Sequence, residues 1–217
     1  MTAVIALALA SSVGVAAATV VIYNNPFKNK TAFREVKKFD GKKGCRRFFP
    51  GKKGYGAEVK KGPLQCDFRT PVTGDSKEPD HEIEVSAKVS DATAKGVRKG
   101  AYAGVALRAD KSSRYELRVV PEQRRWQLRR KPDGGGGDFP AEGTDGNIGK
   151  VGKSNKLKLR AFDDEVTAFV NKESVVSLTD SDPGDLNGRK TMIVAGNTSK
   201  KKSSTEVVFN NLRIRIP

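Results

Sequence analysis

The sequence predicts an all-β fold, a two-sheet antiparallel sandwich, preceded by one N-terminal transmembrane helix. Short runs of alternating apolar and polar residues recur from residue 63 to the end, and turn residues separate most of them. About a dozen short strands at this spacing are typical of two packed antiparallel sheets. The helix is predicted because Thr2–Tyr23 carries no charged side chain and reaches the roughly 20 apolar residues that span a bilayer.

The apolar segment has three interpretations. We expect a membrane anchor, which makes the lipid bilayer a partner of residues 2–23. A cleaved signal peptide is the second interpretation, because Ala16–Ala18 supplies small residues, although no Lys or Arg precedes the apolar run. A buried core helix is the third, and it would be apolar on every face.

The orientation of this anchor is set by two conflicting signals. The basic residues that follow it closely are Lys28, Lys30, Arg34, Lys37 and Lys38. By the positive-inside rule, they place the domain in the cytoplasm. The cysteine pair favours the outside of the cell, where disulfides persist. We expect a membrane-anchored, extracytoplasmic domain.

Residues 24–62 form a basic lead-in between the anchor (residues 1–23) and the main domain (residues 63–217). The chain has a formal net charge of +16, and Lys28–Lys61 holds thirteen basic residues against three acids. The lead-in is interpreted either as solvated loops or as a juxtamembrane patch on anionic lipid, where each basic residue adds about 1 kcal/mol. We expect part of it to join the sandwich.

The alternation identifies individual strands and one irregularity. In the closing strand the apolar phase changes between Phe209 and Leu212. A bulge is therefore expected at Asn210-Asn211, because a one-residue slip moves every following side chain to the other face. The predicted strands include Ile83–Val89, Ala101–Leu107, Tyr115–Val119, Trp126–Leu128, Leu157–Ala161, Val166–Val170, Val175–Leu178, Met192–Ala195 and Thr205–Ile216.

Three segments together resemble a known family: Ala103–Arg130, Asn155–Asp180 and Val207–Ile216. They are similar to the concanavalin-A-like, laminin-G-like jelly roll of bacterial extracytoplasmic proteins, including 3-keto-disaccharide-hydrolase-like domains. Asn171-Lys172 stands where that family has an Asn-Gly turn, and Asn210 where it has Asp. The resemblance implies a jelly roll, and a fold supports many functions. Its members include sugar binders, glycosidases, adhesion modules and sensor ectodomains.

Cysteine and histidine are scarce in this chain. Cys45 and Cys66 are too few for a disulfide scaffold and are not spaced as a zinc motif. They form one disulfide if the domain lies outside the cytosol, and otherwise are two buried thiols. With His81 as the single histidine, we expect no metal site and no cofactor.

Glu82 and Glu84 are the candidate catalytic pair. With Asp80, they project from one face of a strand about 6.5–7 Å apart, and one lectin-fold glycosidase family uses a similar strand of acids at retaining spacing. The order of acids differs here. We favour the other interpretation, a solvated strand face.

The outward phase of several strands is basic. If these strands share a sheet, a ridge of Arg and Lys suits phosphate, sulfate or carboxylate groups. A generic soluble face is the alternative, because Glu116 and Gln127 interrupt the pattern. The predicted ligand-binding residues are Arg118, Arg125, Arg129, Lys158, Arg160, Arg213 and Arg215.

These features predict a non-enzymatic ligand-binding or sensor module. The expected ligand is a carbohydrate or an anionic cell-envelope polymer, as the resemblance and the basic phase suggest. The alternative is a glycoside hydrolase that uses Glu82 and Glu84. Nucleic acid is disfavoured as a partner, because the few aromatic residues do not interleave with the basic ones.

Overall fold

Two antiparallel β-sheets packed face to face form the protein. The computed structural model describes residues 19–38, 42–51, 54–71, 80–110, 112–134, 137–186 and 188–216. Strands are numbered in chain order. The eight-stranded sheet A contains β1 (Val20–Asn25), β3 (Cys45–Phe48), β4 (Tyr55–Val59), β6 (His81–Val89), β11 (Asn155–Phe162), β12 (Glu165–Val170), β13 (Glu173–Thr179) and β15 (Thr205–Ile216).

The opposing sheet B has seven strands. These are β2 (Lys37–Lys38), β5 (Leu64–Arg69), β7 (Ala101–Ala109), β8 (Arg114–Val120), β9 (Arg125–Lys131), β10 (Asp138–Thr144) and β14 (Lys190–Asn197). The spatial order is β13-β12-β11-β6-β15-β4-β3 in sheet A, with β1 also on β15, and β10-β9-β8-β7-β14-β5-β2 in sheet B. The predicted all-β, two-sheet antiparallel sandwich is confirmed.

The core lies between the sheets and follows the alternation of the sequence. In β6, Ile83 and Val85 are fully buried, and in β8 Leu117 and Val119 face them from the other sheet's inner surface. Trp126 also belongs to this core. Each large apolar side chain buried in this way contributes about 1.5–3 kcal/mol. The intervening residues of each strand therefore form the two outer faces.

The bulge predicted in β15 is present. The register of β15 against β6 shifts between Asn210 and Arg213, and Asn211 has a φ of 52°. Residues Thr205–Phe209 pair with β4, whereas Leu212–Ile216 pairs with β1. The irregularity thus marks the point where β15 changes its neighbour.

The predicted disulfide joins the two sheets. Cys45 in β3 and Cys66 in β5 are bonded, with their Cα atoms 5.5 Å apart. Closing a loop between residues 21 positions apart stabilises a domain by about 3 kcal/mol in the chain-entropy model. The bond ties an edge strand of sheet A to sheet B.

The end of the predicted anchor is a strand. Residues 1–18 lie outside the described residues, and Val20–Tyr23 belongs to β1, paired with β15. Among the described ranges, no helix is long and apolar enough to cross a membrane. The sequence also missed the helix α1 (Lys30–Glu35), which is capped by Asn29. Six residues are too few to show a helical period.

A two-residue turn joins β12 to β13. Asn171 and Lys172 have φ values of 51° and 79°, and the Asn171 side chain accepts a hydrogen bond from the Lys156 N–H at 2.8 Å. Positive φ at both central residues matches the turn that the Asn-Gly sequence usually forms. Lys172 stands at the position that Gly usually occupies in this turn. The turn is kept, and the positive φ strains the Lys172 backbone.

Replacing Lys172 by Gly tests this strain. Lys172→Gly should raise the free energy of unfolding by about 0.5–1 kcal/mol. Glycine adopts positive φ without the steric cost that Lys172 has, and this gain exceeds the additional conformational entropy that glycine loses on folding. Urea unfolding of the two proteins measures the difference. Glu173→Gly, one residue later in β13, serves as the control and should destabilise. A Lys172→Gly protein less stable than the parent would contradict the turn assignment.

Candidate functional site

The predicted basic residues occupy opposite faces of the sandwich. Arg118, Arg125 and Arg129 lie on the outer face of sheet B, in β8 and β9. The other four residues lie on the outer face of sheet A, and they are Lys158, Arg160, Arg213 and Arg215. They do not form the single ridge that the sequence suggested. Alternation shows that a residue points outward, but it does not show which sheet its strand joins.

On sheet A, the candidate acids are paired with these cations. The Glu82 carboxylate contacts Lys158 Nζ at 3.8 Å and Arg215 Nη1. The Glu84 carboxylate contacts Lys156 Nζ at 3.0 Å. These are cross-strand pairs from β11 and β15 onto β6. The geometry thus gives Glu82 and Glu84 structural partners.

On sheet B, small residues make room for a layer of long side chains. Gly104 and Ala106 in β7 stand directly beside Arg118 and Glu116 in β8. Gly196 in β14 stands beside Tyr102, and a Cβ at Gly196 would overlap the Tyr102 ring. Long side chains therefore lie flat across the middle of the sheet. This explains why Glu116 is fully buried although it lies on an outer face.

Glu116 is held by two arginines. One carboxylate oxygen of Glu116 accepts a hydrogen bond from Arg118 Nε, and the other lies 3.0 Å from Arg114 Nε. Arg114 also pairs with Asp67 at 2.9 Å. Two acids and two arginines, contributed by β5 and β8, form this ion network. Buried charges are tolerated when they are paired in this way.

Gln65 connects the network. Its Nε2 donates to Asp67 Oδ1 at 2.7 Å and to Glu116 Oε2 at 3.0 Å. Its Oε1 accepts from Arg118 Nη2 at 2.6 Å and from the Tyr102 hydroxyl at 3.0 Å. The Arg118 guanidinium also lies over the Tyr102 ring, at 4.6 Å from its centroid. Both polar atoms of the Gln65 side-chain amide thus hold neighbouring side chains in place.

Phe139 of β10 lies at the edge of this layer and is 41% exposed. The guanidinium carbons of Arg118 and Arg129 lie 5.5 Å and 5.9 Å from its ring centroid. Cation–π contacts of this length hold an aromatic ring in place. We call the surface formed by Gln65, Tyr102, Arg118, Arg129 and Phe139 the guanidinium platform.

Several groups of this face have shifted pKa values, and those of Glu116 and Arg129 bear directly on the site. Burial alone would raise the pKa of Glu116, but the charges of Arg118 and Arg114 outweigh it, so the pKa lies below its ordinary value. Burial lowers the pKa of Arg129; Glu116 opposes this change, and the positive charges of Arg118 and Arg114 reinforce it. Glu116 is therefore anionic at neutral pH, and Arg129 is a partly desolvated cation.

A separate cleft of about 290 Å³ opens between the edges of the two sheets. Its walls include Tyr115, Arg130 and Asp180. Arg130 Nε donates to Asp180 Oδ2 at 2.9 Å, and the Tyr115 hydroxyl contacts the same oxygen. These groups bind one another across the cleft. Among the described residues, no group of three or more His, Cys, Asp or Glu side chains could hold a metal ion.

The sequence did not indicate three of the five platform residues, Gln65, Tyr102 and Phe139. In the sequence, Glu116 interrupts a basic pattern, whereas in the structure it is the anion that holds Arg118 in place. Gln65 alternates with the core residues Cys66 and Phe68. That alternation was the available signal, but a strand of six residues shows it too briefly to single out Gln65. The position of Phe139 depends on the pairing of β10 with β9, which no local sequence pattern indicates.

Comparison with known proteins supports the architecture. No family model and no curated protein matches the chain. Similar solved structures include carbohydrate-binding module CBM66 of Bacillus subtilis, with 16% identity and a TM-score of 0.57 over 82% of this chain and 93% of that one. A Bacillus subtilis protein of unknown function with a galectin-like fold has 12% identity and a TM-score of 0.61 over 90% and 96%.

A third similar structure is the β-glucanase of Bacillus licheniformis, with 12% identity and a TM-score of 0.61 over 88% of this chain and 96% of that one. At these identities the likeness shows the fold alone. The chain thus has a galectin-like jelly-roll fold.

Removing the Glu116 charge tests the ion network. Glu116→Gln should lower the free energy of unfolding at pH 7 by about 3 kcal/mol, because the buried Arg118 loses its paired carboxylate and Arg114 keeps only Asp67. Urea unfolding measures this. Because the folded-state pKa of Glu116 is lowered, its stabilisation exists above the ordinary value of 4.5 and disappears as the pH falls through the folded-state pKa. The two proteins should converge in stability as the pH falls below the folded-state pKa of Glu116.

Glu142 provides the matched control for this substitution. It lies on the same face in β10 and accepts a hydrogen bond from Gln127 at 2.8 Å, but it is exposed. Glu142→Gln should therefore change the free energy of unfolding by less than about 0.5 kcal/mol. Equal losses for the two variants, or a Glu116 effect that does not decrease as the pH falls below 4.5, would contradict the network.

Proposed function

We propose that this protein is a carbohydrate-binding module and that sugars bind on the guanidinium platform. The observation that carries the proposal is the exposed Phe139 ring, fixed between two arginines beside a buried polar network. Ligand sites combine an apolar surface with a few positioned polar groups. The apolar face of a sugar ring packs on an aromatic ring while its hydroxyl groups find donors next to it.

The donors on this platform are already ordered. Arg118 is fixed by Glu116, by Gln65 and by the ring of Tyr102. A guanidinium has five N–H donors, and these contacts use two of its nitrogens. A side chain that is held in place before binding loses little entropy when the ligand arrives. Glu116 and Gln65 thus support affinity by holding Arg118 in place before the sugar binds.

The similar structures support this proposal at the level of the fold. One of them is named as a carbohydrate-binding module and another as a β-glucanase. The wide surface of one sheet in such a sandwich offers an extended area for a chain of sugars. The present platform lies on such a surface, on the outer face of sheet B.

The proposed activity is binding without catalysis. A glycosidase needs a carboxylic acid with a raised pKa as its proton donor. Glu116, the fully buried acid of the platform's network, has a lowered pKa instead. Glu82 and Glu84 lie on the opposite sheet and are ion-paired. These observations favour a binding module over the alternative of a hydrolase.

Replacing Phe139 by Ala tests the proposed surface. The probes are neutral and acidic oligosaccharides with gluco, galacto, manno and fructo backbones, screened on an array and measured by calorimetry. Phe139→Ala should weaken binding at least 10-fold, because the sugar loses its stacking surface. Phe169→Ala, on the outer face of sheet A, should leave the affinity unchanged. If no probe binds, or Phe139→Ala binds as tightly as the parent, the proposal is overturned.

We also propose that the domain lies outside the cytosol and is attached to a membrane through the apolar residues that precede β1. The Cys45–Cys66 disulfide supports the first part, because such bonds persist in oxidising compartments. In intact cells, a membrane-impermeant maleimide should label the two cysteines only after reduction. Labelling before reduction would contradict the disulfide, and labelling only after lysis would place the domain in the cytosol.

A further inference from the structure

We infer that the guanidinium platform selects an acidic sugar, a uronic acid or a sulfated residue, whose anionic group binds at Arg129 and Lys131. This inference rests on the proposed function and names the chemical class of the ligand. It is carried by the arrangement of charge around the platform and by the position of Arg129 beside the exposed aromatic ring.

Positive charge exceeds negative charge in this part of the face. Within the described residues, the network of Asp67, Arg114, Glu116 and Arg118 is neutral as a whole. Arg129 stands directly beside Glu116 in the neighbouring strand, and Lys131 stands beside Arg114. The two residues of β9 therefore add two positive charges to a network that is already balanced.

The surrounding groups include one more cation, Lys42, and two acids of β10, Glu142 and Asp138, of which Asp138 is the register partner of Arg130. Lys42 Nζ donates to the carbonyl oxygen of Gln65 at 3.4 Å, which brings a further positive charge to the same edge. Glu142 of β10 is exposed, and its carboxylate accepts a hydrogen bond from Gln127. The sum of these charges remains positive. An anionic ligand group is therefore favoured over a neutral one.

The pKa values of Lys131 and Arg129 reflect this excess of positive charge. Burial lowers the pKa of Lys131, and the positive charges of Arg114 and Arg129 lower it further. The pKa of Arg129 is lowered by burial together with Arg118 and Arg114, against the opposing effect of Glu116. Both cations thus lie where an additional anion would stabilise them.

The geometry places this charge next to the stacking surface. The Arg129 guanidinium lies 5.9 Å from the Phe139 ring centroid. A carboxylate or sulfate group on a sugar ring that stacks on Phe139 is then within reach of Arg129. Gly137, with a φ of 60°, passes so close that an added Cβ would lie 2.9 Å from Arg129 Nε. The backbone next to β10 thus confines the guanidinium, which suits bidentate binding of an anion.

We do not infer an acidic-sugar site on the basic outer face of sheet A. Lys156, Lys158 and Arg215 are paired there with Glu82 and Glu84. The Phe169 ring on that face lies under the Lys158 ammonium, which is 3.8 Å from the ring centroid. The cation therefore covers the ring, and a sugar would have to displace it before stacking.

Calorimetry with matched oligosaccharide pairs tests the inference. The first pair is tri-galacturonate and its fully methyl-esterified form, and the second is a sulfated galactan oligosaccharide and its desulfated form. The parent protein should bind the acidic member of at least one pair 10-fold more tightly at 50 mM salt. The double variant Arg129→Gln/Lys131→Gln should lose this preference and keep the affinity for the neutral member within two-fold.

A second double variant controls for general charge. Arg213→Gln/Lys158→Gln removes two cations from sheet A, and it should keep the preference for the acidic sugar. Circular dichroism and the unfolding midpoint check that each variant is folded. If Arg129→Gln/Lys131→Gln does not fold, Arg129→Lys, which keeps the charge and removes the planar fork, should reduce the preference several-fold.

The outcomes separate the two proposals. Equal affinity for acidic and neutral members, with Phe139→Ala still weakening both, overturns the acidic selectivity and leaves the proposed function intact. An acidic preference that falls equally in both double variants overturns the assignment to Arg129 and Lys131, because it then reflects total charge. Absence of binding to every saccharide overturns the proposed function and the inference with it.

Discussion

The structure of the functional face depends on the contact between Glu116 and the two arginines that flank it. A fully buried carboxylate is costly unless cations neutralise it, and Arg114 and Arg118 do so from the same strand. The arginines in turn can lie flat only because the neighbouring strands carry Gly and Ala where they cross. Charge and side-chain size are thus matched across four strands, and the exposed ring of Phe139 is positioned by this match.

The two faces of each sheet have different roles. The inner faces hold the apolar residues that stabilise the sandwich, and the disulfide links its sheets at one edge. The outer faces carry the charges, and they are organised differently. On sheet A, each acid of β6 pairs with cations of the adjacent strands. On sheet B, the acids lie inside a hydrogen-bonded layer, and cations surround it.

Much of the fold could be predicted from the sequence because strand alternation, turn residues and the phase change at Asn210 are local signals. The disulfide was one of two alternatives that the sequence left open for Cys45 and Cys66, and the structure contains it. The candidate site was harder to predict, because it depends on which strands are neighbours. Arg118 and Lys158 have the same outward phase, yet they belong to different sheets. Glu116 interrupts a basic pattern in the sequence and completes an ion network in space.

The pairing of β1 with the end of β15 has a mechanical consequence. Val20 is the register partner of Ile216, so the two ends of the described chain lie about 5 Å apart. Polypeptide on either side would leave the sandwich from one corner. A load applied between these ends would separate β1 from β15 one hydrogen bond at a time, in the manner of a zipper. The strands that hold the core, and the face of sheet B, would carry none of that load until β1 had detached.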